Sequence, residues 1–77
     1  MKLYEFLILA DDLQYQAVWE KGVHIDSIVY NRIHHQLYAI NDFYVEIHYS
    51  VSDNEIIGKL AFKQGEALDK YLPDLKS

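Results

Sequence analysis

The chain has no cysteine, a single proline and three glycines among its 77 residues. Without cysteine there is no disulfide framework, the usual support of a small secreted domain. The glycines, Gly22, Gly58 and Gly65, stand apart from one another, so no glycine-rich phosphate loop is present. Ser27, Ser50 and Ser52 lack a nucleophile-elbow context. Positive charge is also sparse. Seven basic residues, only one of them arginine, face twelve acidic ones, for a formal charge of -5. Binding to nucleic-acid phosphate or to an anionic membrane needs clustered Lys and Arg, and neither partner is expected. No long apolar run exists. Residues 3–10 are too short to span a bilayer, are interrupted by Glu5 and do not resemble a signal peptide. A cytoplasmic location is expected, with no cofactor.

What is abundant is hydrophobic surface. Half of the residues are hydrophobic and seven are tyrosine, which excludes disorder and suits half-buried faces. A chain of this length forms one domain, residues 1–77. Leu3, Phe6, Leu7, Ala10, Leu13 and Ala17 recur at helical spacing, which predicts helices within residues 2–21: a short one near 2–9 and a longer one near 12–21. Residues 3–9 also admit a strand, because both alternating sets are mainly apolar. Asp11 with Gln14 resembles a capping box, and Lys21-Gly22 suits a helix end where glycine tolerates positive φ.

Beyond Gly22 the period becomes two. Strands are expected near 23–30, 33–40, 43–51 and 55–63, within a sheet of residues 23–63. The expected two-residue turns are Asn31-Arg32, Asn41-Asp42 and Asp53-Asn54. Phe43 to Ser50 alternates without error. Tight turns would set Ile40 against Phe43, Tyr38 against Val45, Val23 against Ile40 and Ile25 against Tyr38. They would also set Val51 against Ile56, Tyr49 against Gly58, Ile47 against Leu60 and Val45 against Phe62. All of these fall on one apolar face. A short helix over residues 66–72, stopped by Pro73, and a tail over 73–77 complete the order. The fold expected is α+β: N-terminal helices, a four-stranded antiparallel meander and a short C-terminal helix, with the helices on one sheet face and Trp19 as an anchor.

The other sheet face carries more apolar material than bare surface normally does. Ile28, Tyr30, Ile33, His35, Leu37, Tyr44, Glu46, His48 and Ile57 form a candidate contact surface. The leading expectation is a non-catalytic interaction or regulatory module, homodimeric through this face. His35 and His48 fall opposite one another with Glu46 beside them, so a metal-binding protein or an enzyme using these three is the alternative. Against it, the expected register puts Lys59 beside His48, and no metal-motif spacing is present. His34 belongs to the helix-facing side, beside Tyr49 and Val29. An antitoxin-like or immunity-like partner protein is a third reading, on small size and acidic charge.

Several segments together look like a group of small uncharacterised bacterial proteins. They are Tyr4-Glu5-Phe6, Val18-Trp19-Glu20-Lys21-Gly22-Val23, Leu37-Tyr38, Asp42-Phe43-Tyr44-Val45-Glu46, Phe62 and Tyr71-Leu72. The Trp-Glu-x-Gly and Asp-Phe-Tyr-Val-Glu segments are the most specific. The resemblance spans nearly the whole chain and implies a free-standing cytoplasmic protein. That group has no assigned activity, so no catalytic residue is implied.

Overall fold

The computed structural model describes residues 1–63. Helices α1 (Leu3–Leu7) and α2 (Asp11–Lys21) precede strands β1 (Val23–Tyr30), β2 (Ile33–Ile40), β3 (Phe43–Ser50) and β4 (Ile56–Phe62). The strands form an antiparallel meander in the order β1-β2-β3-β4. N-terminal helices and a four-stranded sheet were both expected. The helix expected over 66–72 and the tail over 73–77 lie outside the described residues.

The first segment is helix, but shorter than its apolar run. Its start is held by the Lys2 backbone N–H, which donates to Glu5 Oε1 at 2.6 Å. Only Phe6 is buried on it, while Tyr4 and Ile8 are more than four-fifths exposed. No capping box forms at α2. Gln14 instead donates back to the Phe6 carbonyl at 3.1 Å, satisfying the open end of α1. Asp11 and Asp12 occupy the first turn, where carboxylates suit the helix dipole. Gly22 is not a left-handed cap, since its φ is -76°. A Cβ there would lie 2.6 Å from the Val18 carbonyl oxygen, so glycine is needed for close approach.

Phe6, Ala17, Val18, Ile40, Phe43, Val45 and Ile47 form the core between the helices and one sheet face. Phe6 and Phe43 meet as tilted rings with centroids 5.5 Å apart. Val18 and Ala17 anchor α2. Trp19 does not, being half exposed with its edge on Tyr38 at the rim. Tyr49 borders this core, and burial, helped by Tyr38 and Tyr15, raises its phenol above the ordinary range.

The central hairpin has the expected register throughout, from Ile40 opposite Phe43 to Ile33 opposite Ser50. Both outer strands depart from it. In β1 the pairing is as expected from Tyr30 to Asp26, then shifts by one residue, so Val23 faces Ala39 and His24 faces Tyr38. Ile25 is the extra residue of a bulge. In β4 the turn is longer than expected: Ser50 N–H donates to the Glu55 carbonyl, and Val51 to Asn54 form the loop. Tyr49 then faces Ile56, Ile57 is bulged out, and His48 faces Gly58. Past the bulge every side chain of β4 is on the face opposite to the one expected. Lys59 and Ala61 face the helices beside Ile47 and Val45, whereas Leu60 and Phe62 join the outer face beside Glu46 and Tyr44. A bulge flips faces because the side-chain period is two.

Candidate functional site: a buried His-Glu-His cluster and an open sheet edge

Turn chemistry fixes the outer face. Asn31 and Arg32 both adopt positive φ, 53° and 62°, and Asn41 has φ 51°. Two-residue turns of this sort close their hairpins with a hydrogen-bonded pair, Ile40 with Phe43 in the central one. Counting inwards by alternation, His35 and His48 form a non-hydrogen-bonded pair, the kind in which side chains approach closest. Their rings meet edge to face with centroids 4.8 Å apart.

Glu46 lies one diagonal step away and bridges the two imidazoles. Its Oε1 is 3.0 Å from His35 Nδ1 and 2.5 Å from His48 Nε2. The far side of the His35 ring presents Nε2 to the Tyr30 carbonyl at 3.4 Å. Glu46 is 1% exposed and His35 6% exposed, so this is an interior polar cluster. It is fully hydrogen-bonded: among the described residues no buried side-chain polar atom lacks a partner. One ligand-capable atom from each residue lies within 4.8 Å of the other two.

The bulge at Ile57 decides what stands next to this cluster. It places Gly58, not Lys59, opposite His48. Lys59 is turned through to the helix side, where it pairs with Asp11 and its ammonium lies 4.2 Å from the centre of the Tyr15 ring. The cation expected to repel a metal from His48 is therefore on the opposite face of the sheet.

The remaining candidate residues surround the cluster. Ile28, Tyr30, Ile33, Leu37 and Tyr44 share the outer face with His35, Glu46 and His48, as their pairings require. Leu37 is fully buried. Ile28, Ile33, Tyr44 and His48 are half-buried, and Tyr30 and Ile57 are exposed. Ile57 is outside the regular ladder, at the bulge. A partner laid flat on the face would meet its margins, not its centre. His34, on the helix-facing side, takes a hydrogen bond from the amide of Gln36 at 2.9 Å, and Gln36 also pairs with His24.

Strand β1 carries what sequence reasoning missed. Val23, Ile25 and Val29, expected on the helix-facing side, are each more than half exposed. The two short helices pack over β2, β3 and β4 and leave this edge bare. At about 1.5 Å per residue, an eleven-residue α2 is only about 16 Å long. That shortfall against a four-stranded sheet was the available signal. A shallow groove beside α1, lined by Lys2, Leu3, Tyr4, Glu5, Leu7 and Lys63, lacks a convergent set of buried polar groups. No described helix is long and apolar enough to cross a membrane.

No protein-family model, no curated protein and no solved structure matches this chain.

Proposed function

We propose that this protein is a small interaction module that works by pairing with a second copy of itself along the open edge of β1. The carrying observation is the exposure of that strand: seven of its eight residues are exposed and Ile28 is half-buried. Five of the eight are apolar and Asp26 is the single charge. Among the described residues no strand pairs with its outer edge. Edge strands of stable monomers are normally short, charged or proline-bearing, because an open edge templates further pairing.

The register of such a dimer follows from β1 itself. Regular pairing with β2 runs from Asp26 to Tyr30, and the bulge ends it on the N-terminal side. Tyr30 and Ile33 flank the turn as a hydrogen-bonded pair, so the backbone groups of Ser27 and Val29 point away from β2. An antiparallel twofold centred on Ile28 lets Ser27 of each copy exchange backbone hydrogen bonds with Val29 of the other. Ile28 then meets Ile28, and each Asp26 lies opposite Tyr30, which keeps the two carboxylates apart. The two outer faces become continuous, so the half-buried margin of the candidate surface contributes to the contact. A cysteine-free, acidic chain of this kind suits a cytoplasmic setting.

Sedimentation equilibrium tests the pairing. The expected result is a mass near twice 9.1 kDa. Val29→Pro removes an N–H that β2 does not use and should return the protein to monomer with its circular dichroism unchanged. Val29→Lys serves the same end if proline distorts the strand. A monomer mass at all concentrations up to high micromolar would sink the proposal.

A further inference from the structure

The His35–Glu46–His48 cluster has a chemistry that the edge contact does not use, and it rests on independent observations. We infer that His35 Nδ1, a Glu46 carboxylate oxygen and His48 Nε2 form a three-ligand site for a divalent transition-metal ion, Zn²⁺ being the cation the donor set suits best. Two imidazoles and one carboxylate are borderline donors, and sites of this composition hold zinc while leaving a further position for water.

Three features of the molecule favour a cation here. First, the donors already converge. A tetrahedral ion with bonds of about 2.0–2.1 Å separates its ligand atoms by about 3.3 Å. His35 Nδ1 and His48 Nε2 stand 3.0 and 2.5 Å from the carboxylate oxygen and all three donor atoms lie within 4.8 Å of one another, so a bound ion asks for shifts of roughly 1 Å. Second, the back of the His35 ring is already oriented as metal-bound histidines usually are. With Nδ1 on the metal, Nε2 keeps its hydrogen and donates it to the Tyr30 carbonyl, 3.4 Å away. Third, the bulge leaves no charged side chain of β4 opposite His48. Gly58 stands opposite it, and even a Cβ there would remain 3.9 Å from His48 Nδ1. The nearest lysine of β4, Lys59, is engaged with Asp11 on the other side of the sheet.

Isothermal titration of the full chain with Zn²⁺ is expected to show one saturable site. Glu46→Gln and His48→Gln should each weaken it at least ~10-fold, the low end of what even an outer-shell partner of a metal contributes. His24→Gln with His34→Gln, on the opposite face, should leave it unchanged. A second measurement needs no substitution at the site. In the unaltered protein, Zn²⁺ should shift the imidazole resonances of His35 and His48 and leave those of His24 and His34 in place. Absence of saturable binding, retention of affinity in Glu46→Gln and His48→Gln, or shifts confined to His24 and His34 would each overturn the inference. In those cases the two histidines serve only to satisfy a buried carboxylate.

Discussion

Lys59→Ala is the sharpest probe of how β4 sits. In the expected register this lysine would stand on the outer face; in the structure it lies under α2, with only 12% of its side chain exposed. Truncation removes three buried methylenes, worth up to about 0.8 kcal/mol each. It also removes the ammonium from the Tyr15 ring, about 0.5–1 kcal/mol at a partly exposed site. The pair with Asp11 adds little, about 0.2–1 kcal/mol, because that carboxylate is 78% exposed. Together these come to a loss of at most about 3–4 kcal/mol. Lys59→Met keeps the stem and discards the charge, so its cost should stay near 1 kcal/mol. Urea unfolding at low salt measures both, and a double-mutant cycle with Asp11→Ala isolates the ion pair. Lys63→Ala, at an exposed position, provides the baseline, expected within about 0.5 kcal/mol. If Lys59→Ala costs no more than that baseline, Lys59 faces outward. The bulge at Ile57 is then wrong, and the lysine returns to the side of His48.

Two glycines should respond with opposite sign to the same substitution. Gly22→Ala brings a Cβ to 2.6 Å from the Val18 carbonyl and against Tyr38, so the turn from α2 into β1 must open. A loss of about 1–3 kcal/mol is expected in thermal or urea unfolding. Gly58→Ala meets nothing closer than 3.9 Å and lies in a regular strand, so relief of glycine's backbone entropy should leave stability unchanged or raise it by up to about 1 kcal/mol.

The centre of the molecule is legible in the sequence, and the edges are not. Phe43, Val45, Ile47 and Tyr49 alternate cleanly, and Asn41-Asp42 leaves one way to join them to Ile40 and Tyr38. The register of β2 on β3 follows, and with it the meeting of His35, Glu46 and His48. On the outer strands the alternation is blurred where it matters. Ile56 and Ile57 are adjacent apolar residues, so either could point inward. Val23-His24-Ile25 likewise gives no sign that His24 turns to the helix side, where it packs against Tyr38 with centroids 5.3 Å apart. A bulge costs only local ladder bonds at a sheet edge, and there it is tolerated without a distinctive residue. Lys59 was misread for a second reason. A lysine on an alternating strand suggests solvent, yet its apolar stem and the Tyr15 ring make a half-buried place suitable. Capping was misread because Gln14 had two possible uses. The open carbonyls at the end of α1, invisible until the helices are placed, took it.

The bulge itself can be tested by deletion, and the outcome separates it from every other site on β4. Tyr49 pairs with Ile56 and His48 with Gly58, so Ile57 is the residue by which β4 exceeds β3. Removing it leaves a regular ladder in which all other residues keep their faces. Lys59 stays beneath α2, Gly58 stays opposite His48, and the buried set is unchanged. Ile57 is itself more than half exposed, so little apolar burial is lost with it. Stability of the Ile57 deletion should therefore lie within about 1 kcal/mol of the parent, the ordinary cost of a surface change. Deleting Leu60 is different, because one residue removed within the regular ladder inverts whatever follows. Ala61 leaves the face beside Val45 and Phe62 is driven towards the core, so the protein should lose most of its cooperative unfolding transition. If the two deletions prove equally damaging, β4 has no bulge at Ile57. If deletion of Ile57 is neutral while that of Leu60 unfolds the chain, the slip that clears Lys59 from the histidine pair is established without any metal being added.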